Sequence, residues 1–526
     1  MNMALFLNKS SLLQKKQFYF LSCFLMMGST ALLTPLAKAE DSKNTPVTHK
    51  AENSDSAIDG MTDGYLVPVG GGGDWLTSIG RVQSNPSDIA KIEKIGNPLL
   101  PQPEHFLGTW GGIQPWLYQR GINFNLDNQN EFAGNITGGK RKGATNAGAV
   151  DANLDVDWAT LVGRNWMTDG LVSHMTVLGR YGNNLGKVIG ENITQVQEIY
   201  GAGGNVVAKL VNLYSDKYFM DGKIVTSFGR TSVGGFYATS PIHCYFMNNG
   251  LCGNPKPLSG QAAGFNAWPD STWGITTLFR PTDHLSVRIG MFQVNRYAYG
   301  NEGGKRAGWS SIVRTAGNAG GEFPIEFTYE PHWGKNDLVG HYKAGFAYDT
   351  SSYPVWGSGK NGAKITTMNG ADQRWKRGRD VEWLLLDQMI HRNGPGDLNG
   401  VIGYVGFVHS NPLTFQRQNQ VIVGMINTGF WKARPMDAFG VLFIHQIMSG
   451  KMRDAQRYNL SQGFAIDNIG SASGIQTSET TFELTYIIHV YRGIRFQPDF
   501  QYEIHPNAQK NINDAAFLGF KSRVDF

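Results

Sequence analysis

The sequence predicts an all-β fold, a transmembrane antiparallel β-barrel of sixteen strands with short periplasmic turns and long extracellular loops, preceded by a short helix and a flexible N-terminal extension. Three observations carry this expectation. Segments of strand length recur along most of the chain, each with one apolar and one polar face. The connections between them alternate between tight turns and long loops, a segregation that a soluble β-sandwich has no reason to show. The last segment, AAFLGFKSRVDF at 515–526, places Leu518, Phe520, Val524 and Phe526 on one face and Lys521, Arg523 and Asp525 on the other, and it ends on an aromatic, as the closing strands of bacterial outer-membrane barrels commonly do.

Composition narrows the class. A hydrophobic fraction of 41%, a mean hydropathy of −0.28 and 66 glycines are too polar for a helical membrane protein, whereas alternating strands hide their apolar half in such an average. The formal charge of +5 is small against 47 basic and 42 acidic residues, and the basic residues are scattered, which argues against a nucleic-acid partner. Lys9, Lys15 and Lys16, an apolar run over 18–36 and the motif Ala37-Lys38-Ala39 read as a secretory signal, cleaved so that the mature chain starts at Glu40. Cys23 lies in that run without a convincing lipobox. The expected organisation is a signal peptide at 1–39, a flexible periplasmic extension at 40–104 and an outer-membrane barrel at 105–526.

Taken in order, 40–73 is polar and ends in four glycines, with no core to offer. Ser87 can cap a short helix over 87–95 with Ile89, Ile92 and Ile95 on one face, either transient within a mobile tail or part of a periplasmic plug or peptidoglycan-contacting arm. Over 105–121, Thr109 is the expected cap of a short helix whose face carries Trp110, Ile113, Trp116 and Leu117, with Pro115 limiting its length. Strands follow at 121–135, 147–161, 170–183, 205–218, 223–230, 271–280, 284–296, 321–331, 338–350, 380–392, 398–410, 418–431, 437–449, 478–490, 493–504 and 515–526. In the second, Val150, Ala152, Leu154, Val156 and Trp158 alternate with Asp151, Asn153, Asp155 and Asp157. Most segments reach the ~9 to 11 tilted residues that cross a bilayer. A basic side chain against lipid at the midplane costs about 2 to 4 kcal/mol, so the charged faces are expected to point into an aqueous lumen.

Cys244 and Cys252 are the cysteines left after cleavage. In an oxidising periplasm, two cysteines this close in a Gly- and Asn-rich loop are expected to form a disulfide; His243 beside them does not complete the four-ligand pattern of a zinc site. The loop that holds them, 231–270, also carries Phe236, Tyr237, Tyr245, Phe246, Phe265 and Trp268. Folded inward it narrows the pore and offers rings to a sugar; folded outward it is a surface cap. The candidate pore-lining or solute-contacting residues are Arg180, Arg230, Arg288, Asp127, Asp155, Glu326, Glu382, Arg495 and Trp268. Their signs are mixed, which suits hydroxylated neutral solutes better than strong ion selection. No metal, cofactor or catalytic residue is expected: a G-x-S-x-G elbow and an H-E-x-x-H helix are both absent, and pairs such as Asp155 and Asp157 arise by chance on any strand.

Four stretches resemble one family: GTWGGIQPWLYQRG at 108–121, the NLDNQNEFAGNITGGKRKG run that follows, QEIYG at 197–201, and GRTSVGGFYATSPIHCYFMNNGLCGNP at 229–255. They are similar to the carbohydrate-selective porins of the OprB family, with the shared motifs falling on Trp110, Gly111, Gly112, Trp116, Gly121, Gly138, Gly139, Arg141, Gly143, Gly229, Arg230, Cys244 and Cys252. The resemblance runs from about 106 to 526, is motif-specific in the first half, and leaves out the 40–104 extension. It implies a sixteen-stranded outer-membrane barrel that passes glucose and similar small sugars by diffusion. The implied partners are outer-membrane lipids, sugars as solutes and the barrel-assembly machinery, with monomer and homotrimer both open. The alternatives are a general, non-selective porin and, more remotely, a barrel enzyme.

Overall fold

Alternation becomes pairing in the computed structural model, which describes residues 105–199, 206–259, 264–296, 309, 317–368, 370–394, 398–466 and 472–526. The expected signal peptide and the 40–104 extension with its helix lie outside these residues. The strands are β1 (Ile122–Thr137), β2 (Ala144–Asp157), β3 (Leu171–Gly182), β4 (Val206–Phe219), β5 (Ile224–Thr231), β6 (Thr272–Thr282), β7 (Leu285–Asn295), β8 (Asn318–Tyr329), β9 (His332–Trp333), β10 (Leu338–Gly359), β11 (Gln373–Arg392), β12 (Gly400–Ser410), β13 (Arg417–Thr428), β14 (Ala438–Met448), β15 (Ser478–Tyr491), β16 (Ile494–Ile504) and β17 (Ala515–Asp525).

Each strand pairs antiparallel with its neighbour in sequence, and β10 pairs with β8 along most of its lower half. The two-residue β9 continues the same side of β10, through Leu338 opposite Trp333 and Val339 opposite His332, and is not a stave of its own. Closure comes from β1, which pairs with β2 on one edge and with β17 on the other, with Asp127 opposite Asp525 and Phe132 opposite Phe520. The result is a closed antiparallel barrel of sixteen strands with no unpaired edge, the arrangement a strand protein needs in lipid, where an unpaired backbone group has no water to turn to. No described helix is long and apolar enough to cross a membrane.

All sixteen expected segments are strands, with three corrections to their ends. The segment placed at 147–161 stops at Asp157, whose carboxylate caps a short helix, Trp158–Val162, by accepting from Ala159 N at 3.1 Å and Thr160 Oγ1 at 2.5 Å. Strands β10 and β11 run well past the expected 350 and 380, to Gly359 and from Gln373, forming a hairpin taller than its neighbours. The turns at one end, such as 220–223, 283–284 and 492–493, are short, while the other end carries 183–205, 232–271 and 449–477. Both β1 and β17 meet at the short-turn end, where Phe106 N donates to Asp525 O at 2.6 Å.

The expected helix near 109–121 is two pieces, a 3-10 turn (Trp110–Gly112) and an α-helix (Ile113–Tyr118). Thr109 makes no side-chain cap; Gly112, in the left-handed region at φ 94°, starts the α-helix instead. Its buried residue is Gln114, and Ile113 and Trp116 point away from the barrel, more than half exposed. The expected face is thus split, with Trp110 and Leu117 half-buried and Ile113 and Trp116 exposed. Gly121 ends the motif at φ +78°, where a Cβ would lie 2.6 Å from the carbonyl oxygen of Asp157, so the chain enters β1 only through glycine.

Candidate functional site

The inner faces of β11 to β14 carry a large apolar patch among polar residues such as Asp387 and Gln420. Val381, Trp383, Leu385, Met389, Ile402, Tyr404, Ile422 and Ile444 point inward and are almost fully buried. What buries them is the 232–271 loop, which folds into the barrel and lays Phe236, Tyr237, Tyr245, Phe246 and Phe265 against this wall. Of the two destinations open from sequence, the inward one holds. Where the sequence predicts a water-filled lumen, the side facing β11 to β14 holds a packed core.

Polar contacts hold the loop across the barrel. Glu326 Oε2 accepts from Ala238 N and from Trp383 Nε1, both at 2.8 Å. Ser240 Oγ donates to Asp387 at 2.7 Å, His243 Nε2 meets the Tyr404 hydroxyl at 2.8 Å, and Glu483 accepts from Met247 N at 2.5 Å. Further round, Gln497 Nε2 donates to Tyr245 O at 2.9 Å and Gln420 Nε2 to Gly250 O at 2.9 Å. The Cys244–Cys252 disulfide is formed within the loop. Burial pushes the His243 imidazole down to about 3, so it stays neutral as it bonds Tyr404. Burial, helped by the neighbouring Arg417 guanidinium, lowers Lys256 to about 7.

A second segment, which sequence reading did not single out as inward, is 183–199. Arg417 on β13 donates to Asn192 O at 2.8 Å and to Ile193 O at 3.0 and 3.1 Å, and Gln501 Nε2 donates to Val196 O at 2.9 Å. Glu191 folds back to accept from Ile193 N, and from Thr194 N and Gln195 N at 2.9 Å; burial raises its carboxyl above the usual range. The two inward segments touch where Asn249 N donates to Gln195 O at 2.9 Å. The available sequence signal was the QEIYG motif beginning at Gln197, whose side chain donates to Glu131 O at 2.8 Å.

With one side filled, the polar side is β16, β17 and β1 to β7. Here the buried inward side chains are Asn125, Gln129, Asn153, Thr176, Asn212, Ser227, Arg230 and Arg288 among others. Several of their polar atoms have no partner within the protein: Asn125 Oδ1, Gln129 Oε1, both amide atoms of Asn153, Ser227 Oγ, Arg230 Nε and both terminal nitrogens of Arg288. Unpartnered buried polar atoms are costly unless water or a solute meets them.

A family model described as carbohydrate-selective porin, OprB family, matches residues 141–526. The chain belongs to this family. Among curated relatives it is similar to Porin B of Pseudomonas aeruginosa, 25% identical over 439 residues, which are 81% of this chain and 92% of the relative. It is also similar to Putative porin QuiX of Acinetobacter baylyi, 23% identical over 435 residues, 80% of this chain and 92% of that one. A structure of Pseudomonas putida OprB at high pH superposes with a TM-score of 0.72 at 24% identity, covering 80% of this chain and 98% of that one, which supports the fold.

Within this porin the residues singled out from sequence fall into four places. Arg180, Arg230 and Trp268 gather on the β3 to β5 wall with Lys209 and Asp270. Asp155 and Asp216 flank His174 at 2.7 and 3.3 Å, with the imidazole stacked on Tyr214 at 4.7 Å. Arg288 lies 5.1 Å over the Phe236 ring, facing the inward loop as Glu326 does. Asp127 and Arg495 meet at the short-turn rim, through Arg523 at 3.4 Å from Asp127 and Asp525 at 2.8 Å from Arg495. Glu382 is a correction: it falls between inward Val381 and Trp383, on the outer face with Phe346 and Phe407, and is exposed. The physical reason is that both faces of β11 are apolar, so polarity could not set its phase. Lys209, missed from sequence because β4 lacks clean alternation, is fully buried on the inner wall.

Proposed function

We propose that this porin is an outer-membrane channel giving passive, substrate-biased diffusion of small carbohydrates such as glucose. The solute runs between the inward 232–271 loop and the polar wall of β16, β17 and β1 to β7. The observation that carries the reading is the row of unpartnered amide, hydroxyl and guanidinium groups on that wall, opposite a loop braced by its disulfide and its aromatic core. A sugar ring presents hydroxyls that both donate and accept, and a narrow wall of mixed amides and charges replaces its lost water contacts without selecting strongly by sign. Export through a cleaved signal at 1–39 and insertion by the barrel-assembly machinery complete the reading. The test is reconstitution of the full chain in planar bilayers. Open channels whose current falls as glucose is added support the proposal. Conductance that no sugar alters makes it a general porin, and absence of conductance overturns both. Arg288→Ala should change either conductance or glucose block; if neither changes, Arg288 does not line the path.

A further inference from the structure

We propose that the top of the β10–β11 hairpin, with the helix Gly450–Ser461 packed on it, is a docking surface for the phosphorylated headgroup of the glycolipid in the outer leaflet. The inference concerns the outside of the barrel and holds whichever solute the channel carries. The last rung that β10 shares with β8 is Asp349 opposite Glu322, and the last that β11 shares with β12 is Val381 opposite Ser410. Beyond these rungs, among the described strands, the hairpin pairs only with itself, from Ser352 opposite Arg377 to Gly359 opposite Gln373. It rises at the long-loop end from strands that present Phe346, Tyr348, Leu384 and Leu386 on the outer face of the barrel. Its flanks therefore stand among the headgroups of neighbouring lipids.

Charge singles out this surface. The chain as a whole is nearly balanced, with 47 basic and 42 acidic residues. The hairpin top carries Lys360, Lys364, Arg374, Lys376 and Arg377 against Asp372, and the helix adds Lys451, Arg453 and Arg457 against Asp454. Lys376 and Arg453 are half-buried and the others exposed. Asp454 is already paired with Arg457 at 3.5 Å. Counting in Asp380 and Glu382 lower on β11 leaves eight cations to four acids, and Asp380 is engaged by Asn411 Nδ2 at 3.0 Å. Among the described residues, Lys360, Arg374, Lys376 and Lys451 have no carboxylate at ion-pair distance. Hairpin and helix form one platform: Lys364 Nζ lies 5.1 Å over the Tyr458 ring, Asn459 Nδ2 donates to Thr366 O at 2.9 Å, and a Cβ on Gly357 would lie 2.4 Å from that of Ala455. A phosphate brings about −1.5 to −2 charges and three acceptor oxygens, which guanidinium and ammonium groups meet with charge-assisted bonds. Trp375, exposed between Arg374 and Lys376, supplies an amphipathic ring suited to a membrane interface. The place of these cations on the perimeter, above side chains that face lipid, favours a lipid headgroup over a soluble polyanion.

The experiment measures, by fluorescence anisotropy, binding of labelled rough lipopolysaccharide to the folded full chain in detergent. The comparison ligands are the same lipid stripped of phosphate by hydrofluoric acid, phosphatidylglycerol, and heparin as a soluble polyanion. The phosphorylated lipid is expected to bind about tenfold more tightly than the stripped one. The triple variant Lys360→Gln, Arg374→Gln, Lys376→Gln should lose about tenfold, as a factor of about two per exposed ion pair multiplies, while Lys223→Gln at the opposite rim changes nothing. Each variant is first checked for the heat-modifiable folded form. Equal binding of phosphorylated and stripped lipid overturns the proposal, as does unchanged affinity in the triple variant. Phosphatidylglycerol bound as tightly as lipopolysaccharide reduces the surface to a general attraction for anionic lipid and also overturns it. Heparin bound more tightly than the lipid assigns the surface to a soluble polyanion instead. If the triple variant does not assemble, the native ratio of phosphorylated to stripped lipid and the double variant Lys451→Gln, Arg457→Gln decide.

Discussion

Gly138 shows why single motif residues matter in this wall. Its φ is +69°, and a Cβ there would lie 1.7 Å from the carbonyl oxygen of Asp514. Both the left-handed backbone and the backbone contact reject a side chain, so Gly138→Ala should destabilise the barrel by about 2 to 4 kcal/mol. The check is the temperature at which the folded band disappears on semi-native gels, which should drop; an unchanged value sinks the argument. Lys256 gives the pH dependence. Its folded pKa is lowered from 10.5 to about 7, so the folded state holds this proton less tightly than the unfolded chain does. The resulting penalty is absent above pH 10.5, grows as pH falls towards 7 and is constant below it. Across the same range the channel interior loses a positive charge as pH rises from 6 to 8. Anion preference, read as a reversal potential in a salt gradient, should weaken over that interval in the native protein and not in Lys256→Met. The motif glycines were visible in the sequence as letters; the contact that makes Gly138 obligatory joins residues hundreds of positions apart and was not.

At the scale of elements, β11 and the 183–199 segment teach the same lesson from opposite sides. Period-2 alternation assigns faces only where the two faces differ in polarity. On β2 they differ, and the polar Asp151, Asn153 and Asp155 are buried on the inner face as the alternation implies. On β11 they do not differ, because Trp383 and Leu385 pack inward on the loop while Leu384 and Leu386 face out, and Glu382 lies outside rather than in the lumen. The inward course of 183–199 has no periodic signature at all; it depends on Arg417 and Gln501 reaching from distant strands. Removing the Arg417 anchor tests that. Each lost charge-assisted bond is worth about 1.5 to 3 kcal/mol, so Arg417→Met should release the segment and expose it to protease added outside intact cells, where the native chain resists. Equal resistance in both would mean that Arg417 does not hold the segment.

The whole molecule depends on the seam between β1 and β17. Phe132 and Phe520 stack across it at 5.5 Å on the outer side, and Arg523 joins Asp127 and Asp525 on the inner side. Phe526 adds the last rung, its N–H donating to Leu126 O at 2.9 Å and its carbonyl accepting from His105 Nδ1 at 2.5 Å. Deleting Phe526 should reduce the heat-modifiable, assembled form recovered from outer-membrane fractions; full recovery would show that the final rung is dispensable. On the lipid side, Leu484 sits between Val441 and Phe500 near the middle of β15, and Leu484→Arg should cost about 2 to 4 kcal/mol in unfolding from bilayers.

By itself the sequence determined the sixteen strands, their antiparallel order, the closing pair and the disulfide partners. Those features rest on local signals, a two-residue period, turn chemistry and close cysteines, which act over a few residues. Only the tertiary structure decided where the long loop goes. Whether 232–271 caps the barrel or fills it depends on Met247 meeting Glu483 and His243 meeting Tyr404, pairs more than 150 residues apart. The bond between Lys209 and Asp270 likewise needs the loop to return to β4 from 61 residues away. Packing between distant segments, which no local pattern encodes, laid the loop's aromatic residues against the inner wall of β11 to β14.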